Sequence, residues 1–152
     1  MRKVLIADDE VKVGQLVKRL IQWDRLGLTC IGLVTDGQTA YEKILSESPD
    51  IVITDIRMPV LTGLEMIQKA SEQGVKCHFI VVSGYKYFDY AQKALKYGVE
   101  DYLLKPIDED ELNRQLQKIV AEEEQREDKQ QQVDQIEKKL EDSKYLRHKE
   151  FL

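Results

Sequence analysis

The chain has 152 residues, 42% of them hydrophobic and 34% charged, with a net charge of -5, and that length amounts to about one domain. The acidic balance excludes a module that grips a phosphate backbone through a basic face, and no stretch approaches the ~18 consecutive apolar residues of a membrane span. The start, Met1-Arg2-Lys3 with four apolar residues before Asp8, is far short of a signal-peptide core, so the expected location is the cytoplasm.

Lys3 to Ala7 is too short and too uniformly apolar for a helix and reads as a strand buried on both faces. From Glu10 to about Trp23, Val13, Leu16, Val17, Leu20 and Ile21 fall at spacings of three and four, which predicts an amphipathic helix. Leu28 to Val34 predicts a second strand, and Thr35-Asp36-Gly37 is turn chemistry ahead of a helix from about Gln38 to Glu47. Ser48-Pro49-Asp50 breaks the chain before a third strand, Ile51 to Thr54. The loop from Met58-Pro59 to Gly63 then leads into a helix bearing Leu64, Ile67 and Ala70, with Gly74 placed to end it in the left-handed conformation. Cys77 to Val82 predicts the fourth strand, Tyr87 to Tyr97 a fourth helix closed by Gly98, and Asp101 to Leu104 a short fifth strand. Lys105-Pro106 precedes a last helix from near Asp108. Cys30 and Cys77 stand singly in apolar runs, without metal or disulfide spacing, and read as reduced core thiols.

Five strands alternating with five helices predict an α/β fold with a doubly wound parallel sheet in the order 2-1-3-4-5. In that order the switch point lies between strands 1 and 3, which brings the Asp8/Asp9 loop beside Asp55. The composition changes near residue 120. Residues 121 to 152 carry ten acidic and seven basic side chains, so we expect a compact domain over 1–120 and a charged helical connector over 121–152. No proline follows Pro106 and no glycine follows Gly98. A helix from Asp108 to Leu152 would extend about 66 Å, and Glu, Lys and Gln favour it although isolated helices are marginal. Leu112, Leu116 and Ile119 carry one apolar stripe and Val133, Ile136 and Leu140 another, about half a heptad out of phase, so a continuous coiled coil would need a stutter between them.

Four apolar runs end on groups with phosphate or metal chemistry: Asp8 and Asp9, then Asp55, Ser83 and Lys105. Loops leaving the carboxyl ends of parallel strands line one crevice, so these groups can converge. Asp8, Asp9 and Asp55 suit Mg²⁺, which takes hard oxygen ligands; without a cation, three close carboxylates repel and raise at least one pKa. Asp55 can attack phosphorus to form an aspartyl phosphate, and Lys105 and Ser83 can each take a phosphoryl oxygen. Either Asp8 or Asp9 could instead cap the helix that follows. A Mg²⁺-dependent phosphohydrolase is the enzymatic rival, but Ile56 and Arg57 follow Asp55 where haloacid-dehalogenase enzymes place a second catalytic Asp two positions on. No glycine-rich nucleotide loop follows the first strand.

Ile6-Ala7-Asp8-Asp9-Glu10, Val52-Ile53-Thr54-Asp55-Ile56-Arg57-Met58-Pro59, Val82-Ser83-Gly84 and Tyr102-Leu103-Leu104-Lys105-Pro106 together resemble the receiver domain of bacterial response regulators, over about residues 2 to 120. The resemblance implies a flavodoxin-like fold and a phosphoacceptor switch rather than a turnover enzyme. Asp55 would receive phosphate from a sensor histidine kinase, with Asp8 or Asp9 and the backbone carbonyl of Arg57 binding Mg²⁺. It also implies a cis Lys105-Pro106 bond and makes Tyr102 the aromatic switch residue, turning inward when Ser83 is drawn toward the phosphoryl group. Output would leave through the fourth helix, fifth strand and fifth helix, with a homodimer formed through that face or through the C-terminal helix. The aromatic cluster Tyr85, Tyr87, Phe88 and Tyr90 opens the fourth helix, with Phe88 assigned to the core. Ser83 to Ala91, with Gly98 to Tyr102, is similar to receivers that precede an AraC-type helix-turn-helix domain, which implies DNA contact only through an output domain beyond Leu152 and no membrane contact. Two departures bear on the lifetime of the phosphoryl group: Ser83 stands where many relatives carry Thr, and Arg57 sits at a variable position beside the phosphate.

Overall fold

The computed structural model describes residues 1–84, 89 and 99–150, with side chains to residue 143. Apart from Asp89, the expected helix Tyr87 to Tyr97 and the aromatic cluster at its start lie outside the described residues. Five strands, β1 (Arg2–Ala7), β2 (Leu28–Val34), β3 (Ile51–Asp55), β4 (His78–Ser83) and β5 (Val99–Leu104), form a parallel sheet in the order β2-β1-β3-β4-β5. This is the expected order; β4 and β5 begin one or two residues away from the expected starts. The register aligns the chemistry. Ala7 pairs with Thr54, Asp55 with Val82 and Ser83 with Leu104, so residues 8, 55, 83 and 105 follow one line across the carboxyl edge.

The central strands are uniformly apolar because both faces are covered: Val4 to Ala7 and Ile51 to Ile53 are all at most 1% exposed. Helices α3 (Gly37–Glu47) and α4 (Gly63–Glu72) cover one face, packing Ala40, Ile44, Met66, Ile67 and Ala70 on Leu5, Val52, Phe79 and Val81. Each such large apolar side chain contributes roughly 1.5–3 kcal/mol by leaving water. Both helices are capped as their sequences dictate. The Asp36 carboxylate accepts from Thr39 N at 2.7 Å, and Thr62 with Glu65 forms a reciprocal capping box. Gly74 takes the expected left-handed conformation after α4, at φ 73°.

The first helix differs from expectation. In place of one helix from Glu10 to Trp23, the chain forms α1 (Val11–Leu20), an extended step at Ile21, and a single turn α2 (Trp23–Leu26) closed by Gly27 at φ 66°. The break is held from far away in sequence. Asn113, on the last helix α5 (Glu109–Glu150), accepts from Gln22 N at 2.9 Å and donates to Leu20 O and Glu109 O at 2.8 Å. It is 3% exposed, and two of its three bonds, to Gln22 N and Leu20 O, satisfy backbone groups that the helix break leaves open. The two cysteines are unpaired and half-buried; Cys77 packs against the core as expected, and burial with Asp50 nearby pushes its thiol up to about 12.

Met1–Leu116 and Gln117–Leu152 form two compact units. In the second, helix α5 continues to Glu150, and Val133, Ile136 and Leu140 are exposed. Its side chains pair locally, as between Arg126 and Glu123 at 2.6 Å and between Gln130 and Asp134 at 3.0 Å, the spacing at which helix neighbours meet.

Candidate metal and phosphoryl site

Strand β1 delivers Asp8 and Asp9 and strand β3 delivers Asp55. One carboxylate oxygen from each lies within 4.8 Å of the others. Asp8 is 5% and Asp55 7% exposed, whereas Asp9 is exposed. Strand β5 brings Lys105 into the same place, its Nζ 3.3 Å from Asp8 Oδ2 and 3.2 Å from Asp55 Oδ2. The second oxygen of each buried carboxylate is held by backbone: Asp8 Oδ1 accepts from Glu10 N at 2.9 Å and Asp55 Oδ1 from Ile56 N at 2.8 Å. Asp8 thus faces the pocket and holds the amide of Glu10, the residue that precedes α1, but no side chain caps that helix, so the capping role considered for Asp8 or Asp9 is not taken up.

Burial dominates the electrostatics. It pushes Asp8 up to about 6, against the lowering effect of the Glu10 backbone hydrogen bond, with the charge on Asp55 adding to the rise. Burial likewise raises Asp55, with Lys105 opposing it. Burial alone would pull Lys105 down, but Asp55 and Asp8 more than offset it and hold the ammonium above its usual value. Three carboxylates against one ammonium leave the pocket two negative charges in excess when all are ionised, and its donors are hard oxygens. That set fits a divalent cation such as Mg²⁺.

Ser83 is fully buried, one residue beyond the partner of Asp55 on the neighbouring strand. Its hydroxyl donates to Gly84 O at 3.4 Å, and the Tyr102 hydroxyl donates to the same oxygen at 3.3 Å. The serine and the tyrosine thus share one carbonyl, a link that their sequence positions do not reveal. Lys105 N donates to Ser83 O at 2.9 Å, and the Lys105-Pro106 bond is cis, as the resemblance implied. Arg57 lies exposed in the loop that leaves β3.

Two glycines of the site were legible only as turn or loop residues. A Cβ on Gly63 would stand 2.0 Å from Asp55 O, and one on Gly37 would stand 1.8 Å from Leu61 O. Both positions need glycine because backbone passes there, and a sequence gives no hint of which segment passes.

The chain matches the response regulator receiver domain over residues 4–117, and it belongs to that family. It is 46% identical over 122 residues to the uncharacterized transcriptional regulatory protein YesN of Bacillus subtilis, an alignment covering 80% of this chain and 33% of YesN. It is similar in structure to the REC domain of AraT, a response regulator from Geobacillus stearothermophilus, with a TM-score of 0.79 and 36% identity over 83% of this chain and 98% of that one. A two component transcriptional regulator AraC from Clostridium phytofermentans matches with a TM-score of 0.69 and 30% identity, over 80% and 97% of the two chains. The chain spans about a third of the length of YesN. Receiver domains are signalling switches rather than turnover enzymes; they bind Mg²⁺ at an acidic cluster, and response regulators take phosphate from sensor kinases. Among the described residues no helix is long and apolar enough to cross a membrane.

Proposed function

We propose that Asp55 accepts a phosphoryl group from a sensor histidine kinase and that the resulting charge switches a transcriptional regulator. The observation that carries this reading is the gathering of Asp8, Asp9 and Asp55 within 4.8 Å, with Lys105 bridging two of them. Asp55 Oδ2, the oxygen that faces Lys105, attacks phosphorus, the phosphorus–nitrogen bond of the donor phosphohistidine breaks, and its electrons return to the imidazole. Asp8, Asp9, Asp55 and the Arg57 carbonyl would hold Mg²⁺, whose charge stabilises phosphoryl oxygens. Lys105, whose Nζ lies between Asp8 and Asp55, neutralises another oxygen. Water attack on phosphorus then breaks its bond to the Asp55 oxygen, releasing inorganic phosphate and restoring the carboxylate, so the only chemistry is self-phosphorylation and self-dephosphorylation.

The Ser83 hydroxyl is the mobile donor. Rotating it from Gly84 O to a phosphoryl oxygen frees the carbonyl it shares with Tyr102, which couples the phosphate to β5. Residues 1–120 serve as the receiver and 121–152 as a connector to a DNA-binding output domain of the AraC type, and the protein works in the cytoplasm. Phosphorylation favours a homodimer through the β5 face or the C-terminal helix.

The test is treatment with acetyl phosphate and Mg²⁺ followed by intact mass and sedimentation. The wild-type chain gains one phosphoryl group and Asp55→Asn gains none. An unchanged wild-type mass overturns the phosphoacceptor reading; an unchanged sedimentation coefficient in the labelled protein overturns dimerisation alone.

A further inference from the structure

The loop between Asp55 and α4 is wound tightly and held from two sides. At its base, Gly63 N donates to Ile56 O at 2.6 Å, which closes the loop on itself. At its apex, Leu61 N donates to Pro59 O at 2.8 Å around Val60, whose φ is 69°. That is a γ-turn with a positive central φ, a rare and strained form, placed on a β-branched residue for which the left-handed region is a true outlier. Val60 is 84% exposed, so its own side chain does not hold the turn. Strain of this kind persists only where the surroundings over-determine it.

The first residue of α3 supplies that determination. Gly37 N donates to Pro59 O at 3.4 Å, and a Cβ at Gly37 would lie 1.8 Å from Leu61 O and 2.5 Å from its carbonyl carbon. Gly37 is not among the glycines of positive φ. Its lack of a side chain answers to proximity alone: backbone rests on backbone, with nothing flexible in between to absorb a shift. The helix end is itself fixed by the Asp36 cap on Thr39. Arg57 stands in the braced loop two residues before Pro59.

We propose that Gly37 is a positioning residue of the phosphoacceptor site: by backbone contact with Pro59–Leu61 it sets where the loop after Asp55 lies, and with it the Arg57 carbonyl, the Mg²⁺ affinity and the lifetime of the aspartyl phosphate. This rests on the reading of the site as a Mg²⁺-dependent phosphoacceptor. Residues that orient metal ligands without touching the metal change affinity by about 10- to 100-fold when altered. Alanine is the better helix former at this position, so a loss in Gly37→Ala reports the collision with Leu61 rather than a weakened helix.

Mg²⁺ affinity by calorimetry and the half-life of the aspartyl phosphate after removal of acetyl phosphate are measured for the wild type, Gly37→Ala and Gly14→Ala. The last makes the same change inside α1, where a Cβ meets side-chain atoms at ordinary distances, Leu33 Cδ2 at 3.5 Å and Ile6 Cγ2 at 4.0 Å. Gly37→Ala, folded by circular dichroism, is expected to bind Mg²⁺ about tenfold or more weakly and to shift the half-life, while Gly14→Ala matches the wild type. Adding Val60→Gly to Gly37→Ala lets the turn yield and recovers part of the affinity. A second measurement needs no variant: titrating Mg²⁺ into the wild type should move the Gly37 amide resonance with the same dissociation constant as calorimetry and leave Gly27 unmoved. A folded Gly37→Ala with wild-type affinity and half-life overturns the inference, and so does a Gly37 amide that ignores Mg²⁺. A wild type that neither binds Mg²⁺ nor takes phosphate overturns the underlying reading instead.

Discussion

The two ends of the same sheet treat charge in opposite ways. At the amino end, Lys3 N donates to Asp50 Oδ2 at 2.7 Å, Lys3 Nζ donates to Glu47 O at 3.0 Å, and His78 Nδ1 meets Glu100 Oε1 at 2.7 Å. Here the Asp50 carboxylate takes a backbone amide, the Lys3 ammonium takes a backbone carbonyl and only His78 and Glu100 join two titratable side chains, all of them hydrogen-bonded one to one and outside the buried core. At the carboxyl end, Asp8 and Asp55 are buried beside each other with one shared ammonium, and burial raises both carboxyls. An end that only closes a sheet can pair its charges locally. An end that, on the function proposed above, receives a cation and a phosphoryl group concentrates like charge and is destabilised by it until they arrive. In stability terms the amino end is close to neutral and the carboxyl end carries a cost.

Three experiments sharpen that contrast, the largest effect first. Asp8 titrates near 6 in the fold against 3.8 for the ordinary group. Because the fold favours its protonated form, its contribution to stability is fully present below pH 3.8 and is lost as pH rises through 6. The loss amounts to about 3 kcal/mol at 1.36 kcal/mol per unit. In chelator, Asp8→Asn should therefore be more stable than the wild type at pH 8, with the advantage vanishing near pH 4. A pH-independent difference in denaturant midpoints would count against the buried, frustrated pocket.

Lys105→Met removes the ammonium that Asp8 and Asp55 share and should destabilise the chelated protein by roughly 2 kcal/mol at pH 8, since two buried carboxylates lose their partner. Adding Mg²⁺ should recover much of that loss in a thermal melt, while phosphoryl uptake from acetyl phosphate stays depressed. The smallest effect belongs to the other end. Glu100→Gln removes the carboxylate that His78 meets at a partly exposed site and should cost about 0–1 kcal/mol, with label uptake unchanged. A larger penalty there, or a change in labelling, would erase the distinction between the two ends.

The glycine of α3 and the asparagine of α5 mark where legibility in the sequence stopped. The five apolar runs and their turn residues were readable because buried parallel strands are uniformly apolar and crossover helices are amphipathic, patterns that depend on neighbours a few positions away. Asp8, Asp9, Asp55 and Lys105, which the structure gathers, were readable for the same reason, each standing at the end of such a run. The split of the first helix was not: Ile21 continues the apolar spacing, and the turn is stabilised by Asn113, 91 positions from Gln22. Gly37 read as ordinary turn chemistry, since nothing local says that Leu61 will pass across it.

Strand order, the identity of the pocket groups and the capped starts of α3 and α4 were thus set by residue type and spacing alone, because they arise from short-range periodicity and from the rule that parallel strands expose their carboxyl ends together. Tertiary structure alone decided the ionisation of those groups, the break before Trp23, the carbonyl shared by Ser83 and Tyr102, and the brace on the loop after Asp55. Those depend on which distant atoms come within a few ångströms, and distance through space is what a linear order of residues leaves out.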